Sequence, residues 1–222
     1  MKKIILSIVT AAFISAPAMA FEDRLSVGLS YNHGVYAADG KEVNQNRTGG
    51  TDRTTNVTGK AFVDTYASVL VELSLNDSVS IGVDYAFDAP QTPKNINSGE
   101  GGDGTTDISV EASFEDLTTV YLLAKSDLGV YAKVGYSQMD IDVTSENAGT
   151  YPDQSTDGTT AAIGYEAEMA DGLALRAEVA YHSFDDVSAN NGITSSNSSQ
   201  RNEITVTNME GATARVSLVK SF

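Results

Sequence analysis

The stretch Val79-Ser80-Ile81-Gly82-Val83-Asp84-Tyr85 carries an apolar residue at every second position, with small or acidic residues between. A period of two belongs to a β-strand with one apolar and one polar face. The same pattern ends on a tyrosine three more times, in Leu25-Val27-Leu29-Tyr31, Val130-Ala132-Val134-Tyr136 and Leu175-Ala177-Val179-Tyr181. The tyrosines are 54, 51 and 45 residues apart. Self-similarity at a unit of ~50 residues indicates a repeated architecture. Four units, each with one rising and one returning strand, make eight strands.

The chain of 222 residues has room for one domain. It has no cysteine, so neither a disulfide framework nor a thiolate metal site is available. Thirty acidic residues against 14 basic ones give a net charge of −16, which argues against a nucleic-acid partner. The N-terminus reads as an export signal: Lys2 and Lys3, an apolar run over 4–14, then the small-x-small site Ala18-Met19-Ala20. Residues 1–20 are therefore expected to be a cleaved signal peptide and 21–222 the mature domain, beginning at Phe21. The apolar run is too short to span a bilayer as a helix.

In chain order, strands are expected over about 24–36, 59–75, 79–85, 107–125, 128–143, 158–169 and 173–184, with a last strand ending the chain. Short turns fall at Asn76-Asp77-Ser78, Ser126-Asp127 and Ala170-Asp171-Gly172. Polar stretches 38–58, 89–106, 144–157 and 185–202 are expected to be long loops. Pro90, Pro93 and Pro152 all fall in these loops. Two irregularities stand out. Asp116 shares the phase of Ile108, Val110, Ala112, Phe114, Val120 and Leu122, which predicts a bulge at Glu115-Asp116 or a position above the bilayer. Met139, Ile141 and Val143 sit on the opposite phase from Tyr136, which predicts a bulge or a strand that has left the membrane.

Alternation alone fits a membrane barrel or a soluble barrel with an apolar calyx. Three features favour the membrane. The polar face carries Glu72, Asp84, Glu111, Lys133, Glu166, Arg176, Glu178 and Arg215, which fit a wet lumen and not an apolar one. Tyr31, Tyr85, Tyr136 and Tyr181 share the apolar face 6–8 residues from the short turns. At ~3.4 Å per residue and ~40° of tilt that is about 16–21 Å up the barrel, the height of an interfacial aromatic girdle. Third, the chain closes on the alternating segment Ala214-Arg215-Val216-Ser217-Leu218-Val219-Lys220-Ser221-Phe222.

That last segment, with Val216, Leu218 and Phe222 in phase, resembles the C-terminal assembly signal of bacterial outer-membrane barrels. The whole layout resembles the small eight-stranded outer-membrane proteins, the OmpA-type transmembrane domain and its OmpX-like relatives. Lys220 departs from the pattern, which usually has an aromatic or aliphatic residue there. The resemblance implies an all-β, eight-stranded antiparallel up-and-down transmembrane barrel in the bacterial outer membrane. It also implies contacts with outer-membrane lipids and lipopolysaccharide, and delivery by periplasmic chaperones to the barrel-assembly machinery. A non-enzymatic role follows from it, in envelope integrity and in surface contacts through the loops 38–58, 89–106, 144–157 and 185–202.

The same residues bear on three other kinds of chemistry. Eight strands leave a lumen just wide enough for side chains to fill. The inward charges then either pair and plug the barrel or line a narrow cation-preferring pore. Gly28, Gly82 and Gly164 either leave space for that pore or mark bends. An outer-membrane lipid-modifying enzyme would need a His–Ser–acid site. His182-Ser183 with Asp185 or Asp186 is the nearest approach, and His33 is distant in sequence, but adjacent strand residues point to opposite faces. Glu100, Asp103 and Asp107 offer oxygen ligands for calcium without the spacing of an EF-hand. No catalytic residue, metal ligand or cofactor is assigned.

Overall fold

Backbone pairing, not helical packing, organises the chain. A computed structural model describes residues 24–45, 53–87, 95–97, 108–146, 150–192 and 201–222. Within them lie ten strand segments: β1 (Leu25–Gln45), β2 (Arg53–Ser74), β3 (Val79–Ala86), β4 (Asn95–Asn97), β5 (Ile108–Lys125), β6 (Val130–Glu146), β7 (Gln154–Ala170), β8 (Leu173–Phe184), β9 (Val187–Asn190) and β10 (Arg201–Ser221). All pairings are antiparallel. The path β1-β2-β3-β5-β6-β7-β8-β10 closes on itself because β10 also pairs β1. Short β4 pairs β5, and short β9 pairs β10. The all-β antiparallel fold read from the alternation is thus the fold observed.

The closing seam is long. It runs from Ser26 opposite Ser221 to Gln45 opposite Arg201, and the Phe222 N–H donates to the Leu25 carbonyl at 2.9 Å. A closed ring pairs its backbone groups without leaving a free edge, which is what an apolar solvent demands. The turns at one end are tight, as their composition requires. The Asn76 side chain accepts from the Ser78 and Val79 amides, both at 2.9 Å. Asp171 and Gly172 have φ of 51° and 72°, the paired positive values of a two-residue hairpin whose twist matches its strands. The Lys220 ammonium folds back onto the Asp171 carbonyl at this rim, which accommodates its departure from the terminal pattern.

The sequence reading of the other end is corrected. Much of the stretches 38–58, 144–157 and 185–202 is strand, not loop. β1 and β2 stay paired as far as Asn44 opposite Arg53, and β10 pairs β1 over the same height. β5 and β6 likewise continue to Ser109 opposite Glu146. Once the apolar face fixes the register, the ladder extends through polar residues at no cost in side-chain burial. In 89–106 only β4 is described. The export signal and the acidic group Glu100, Asp103 and Asp107 lie outside the described residues.

The faces separate by chemistry. Along β8 exposed Leu175, Ala177, Val179 and Tyr181 alternate with buried Arg176, Glu178, Ala180 and His182. Leu29 is 64% exposed and Val134 60%, whereas Asn32 and Ser68 are 0%. The apolar face points out and the polar face in, the reverse of a soluble calyx.

Both sequence irregularities resolve. The β5–β6 register shifts between Glu115 and Thr118, and Asp116 has φ of 52°. The bulge predicted at Glu115-Asp116 is present. Its extra residue reverses the phase, so Phe114 packs inward with the core cluster and not on the outer face with Val120 and Leu122. Tyr85 donates to the Asp116 carboxylate at 2.5 Å. β6 has no bulge: its pairing with β7 is continuous from Val130 to Ile141. Met139 and Ile141 therefore face the lumen. The Val143 side chain lies outside the described residues.

Candidate functional site

The lumen is built in three layers. Nearest the tight turns is a charged layer. Arg176 from β8 grips Glu72 from β2 with both terminal nitrogens, at 2.6 and 2.7 Å. Its Nε donates to Glu166 at 2.5 Å. Lys125 also reaches Glu166 at 2.5 Å, and the Tyr121 hydroxyl donates to Glu72 at 2.7 Å. This two-pronged geometry is the strong form of the arginine–carboxylate bond.

A second cluster sits beside it. Lys133 donates to Glu178 at 2.5 Å, and so does the Tyr131 hydroxyl at 3.0 Å. Arg215 donates to Asp84 at 2.5 Å and to the Asn32 side-chain oxygen at 2.6 Å, with Glu178 at 3.9 Å. Asn32 in turn donates to the Tyr66 carbonyl and to Ser68, both at 3.2 Å. Four carboxylates and four cations thus face each other among the described residues, each with an ion partner. The acid excess expected from the sequence is absent from this set. Glu111, the further acid expected on this face, lies at the far end of β5 opposite Thr144, beyond the bulge that reverses the phase, and its side chain is outside the described residues.

The glycines are filled, not vacant. A Cβ on Gly82 would meet the Tyr121 ring at 2.4 Å, one on Gly164 the Tyr131 ring at 2.3 Å, and one on Gly28 Leu70 and Val219 at 3.0 Å. Tyr121 and Tyr131 each lie over the glycine paired with them on the neighbouring strand, Gly82 and Gly164. Lys133 and Arg176 sit over their rings, 4.9 and 5.6 Å from the centroids, where the ring quadrupole favours a cation.

Above the charges runs a belt of hydroxyls through four adjacent strands to a fifth. Thr119 bonds Ser137 at 2.8 Å, Ser137 bonds Thr160 at 2.9 Å, Thr160 meets His182 Nδ1 at 2.9 Å, and His182 Nε2 meets Thr213 at 3.0 Å. His182 is held by two threonines, while Ser183 lies on the opposite phase and His33 is exposed on the outer face. The structure brings no histidine, serine and acid together here.

The third layer is apolar. Tyr36, Leu117, Met139, Phe184 and Met209 form its buried cluster. Of these, the sequence reading singled out only Met139, as a change of phase and not as a lining residue. A signal was nonetheless present, since each lies on the lumen phase of its strand.

Of the other residues singled out, Tyr31, Tyr136 and Tyr181 are exposed on the outer face and Tyr85 is half-buried against the bulge. Tyr85 pairs with Thr118, Tyr31 pairs with Val216, and Tyr136 and Tyr181 flank β7 two residues apart at Thr159 and Ala161. Val216, Leu218 and Phe222 share the outer face of β10.

Comparison with known proteins agrees with this architecture. A family model described as outer membrane protein beta-barrel domain matches residues 5–201. No curated protein sequence matches the chain. Among solved structures, the outer membrane protein OprG from Pseudomonas aeruginosa is similar at a TM-score of 0.53 and 12% identity, over 90% of this chain and 98% of that one. The solid-state NMR structure of outer membrane protein AlkL in lipid bilayers is similar at 0.50 and 14% identity, over 93% and 94%. At such identities the likeness shows the fold alone. The chain belongs to the outer membrane protein beta-barrel domain family and is a protein of the bacterial outer membrane.

Proposed function

We propose that this is a non-conducting, non-enzymatic barrel, exported by a cleaved leader over residues 1–20, that supports the envelope and meets partners outside the cell through its raised hairpins. The observation that carries the reading is the Arg176–Glu72–Glu166 and Arg215–Asp84 network, buried and paired across the lumen. Ions would have to break these bonds to pass, and a buried pair resists losing one partner. The filling of Gly82 and Gly164 by tyrosine rings supports it further. The threonine-bound His182 supports a role without catalysis. Lipids and lipopolysaccharide would meet the outer face, with Tyr31, Tyr85, Tyr136 and Tyr181 at the interface. Chaperones and the assembly machinery would recognise Val216, Leu218 and Phe222.

The test is single-channel recording of the refolded protein in a planar bilayer under a KCl gradient. The reading expects no discrete steps from protein whose heat-modifiable migration shows it folded. Cation-selective steps would overturn it in favour of a small porin lined by Glu72, Asp84, Glu166 and Glu178.

A further inference from the structure

The apolar layer takes no part in sealing the barrel, and its chemistry points to a ligand. Above the hydroxyl belt the lumen opens into a partly enclosed cavity of about 170 Å³. Tyr36, Leu117, Met139, Phe184 and Met209 give it an apolar floor and walls. Beyond the height of Ala86, the last residue of β3, aromatic rings link β1, β2 and β5. Phe62 of β2 stacks on Tyr36, with centroids 5.5 Å apart and planes at 25°, and on Phe114 of β5 at 6.3 Å and 8°. An apolar concavity of this kind at the wet end of a barrel is costly to leave facing water and marks a binding surface.

Polarity and size define what fits. The Tyr36 hydroxyl bonds Tyr66 at 3.2 Å, and the Gln154 amide bonds the Pro152 and Asp153 carbonyls at 3.1 and 3.0 Å. Among the described residues Glu210 is the one carboxylate of the lining, and it is exposed on the outer phase of β10. No described residue of the lining is a cation, so an ionic headgroup would lose its water with no partner there to replace it. A cavity of about 150 Å³ with aliphatic and aromatic walls stays dry and takes benzene. Met139 and Met209 give this one adaptable walls.

We infer that the extracellular mouth binds one small uncharged apolar molecule, of the size of a single aromatic ring with a short alkyl substituent. This goes beyond the sealed-barrel reading and stands whether or not the barrel conducts.

The experiment uses the chain from Phe21 refolded in lipid nanodiscs, with ¹³C-labelled methionine methyls and toluene as the probe. That chain has three methionines, which report two places. Met139 and Met209 line the cavity, and Met169 is exposed on the outer face near a tight turn. The inference expects saturable shifts at Met139 and Met209, while Met169 shows only the unsaturating drift of toluene dissolving in lipid. Ala38→Phe, which fills the cavity, abolishes the saturable part; Ala189→Phe does the same if the first variant does not fold. Benzoate produces no saturation. The inference is overturned if Met139 and Met209 stay still or merely follow Met169, if either filled variant still saturates when folded, or if benzoate saturates as toluene does.

Discussion

Replacing Arg215 by methionine removes one cation from the charged layer while keeping most of the side-chain volume. Asp84 then keeps no hydrogen bond among the described residues, and the Asn32 side-chain oxygen loses its donor. Both members of the pair are more than nine-tenths buried, so solvent does little to screen them. Breaking such a pair costs about 3–5 kcal/mol. The lower end applies here, because Lys133 acts electrostatically on Asp84 and partly replaces the lost charge. We expect a loss of about 3 kcal/mol, roughly a hundredfold in the unfolding equilibrium. Adding Asp84→Leu removes the stranded carboxylate and should recover most of it, since apolar residues often replace a buried pair without loss. The assay is urea unfolding in lipid vesicles, read by the heat-modifiable gel shift, because the chain has no tryptophan. A single variant within ~0.5 kcal/mol of the parent, or a double variant no better than the single, would refute the reasoning.

Three further outcomes follow from the geometry. Ala177 faces outward midway between the turn at Leu173 and Tyr181, so Ala177→Lys should cost about 2–4 kcal/mol in vesicles; a cost under ~0.5 kcal/mol would mean the outer face does not meet lipid. Gly82→Ala drives a methyl into the Tyr121 ring and should cost about 1–3 kcal/mol by the same unfolding measurement. That cost should shrink in a Tyr121→Ala background. In the raised hairpins, the Asn208 side-chain amide at 2.9 Å and then the Gly59 N–H at 2.6 Å hold the Asp39 carboxyl below its ordinary 3.8. A depressed value means the contacts are at full strength above pH 3.8 and fade as pH falls through the lower folded value. Carboxyl ¹³C titration should place the Asp39 midpoint below 3.8, and a midpoint at or above it would contradict the bonding described.

The sequence carried the strands and their faces because alternation is a local property. The residues from Val79 to Tyr85 show which side of β3 is apolar without reference to any neighbour. Asp116 was legible for the same reason, as a charge on an apolar phase. Ion partners were not legible. Whether Arg176 meets Glu72 or Glu111 depends on the stagger between strands around the ring, which no single strand encodes. The upper cavity was half legible. Met139 and Ile141 visibly change phase, yet a phase change reads equally as a bulge, an exit from the membrane, or an apolar lining. Only the uninterrupted pairing of β6 with β7 selects the last. The long loops were misread because polar composition marks exposure, not the absence of pairing.

The uneven heights of the strands give the molecule a topography. β1 runs nine residues past Tyr36 to Gln45, about 23 Å of climb at ~3.4 Å per residue and ~40° of tilt. β3 stops one residue past Tyr85. Among the described residues the rim therefore rises highest in two ridges, β1 with β2 and β10, and β5 with β6. Under the proposed surface role, ridges of that height would stand among the sugar chains of the outer leaflet, and a macromolecule approaching the cell would touch their crests first. A solute of ring size would pass between them. On that reading one rim would act as a coarse sieve, giving large bodies a handhold on the crests while only small ones reach the cavity behind.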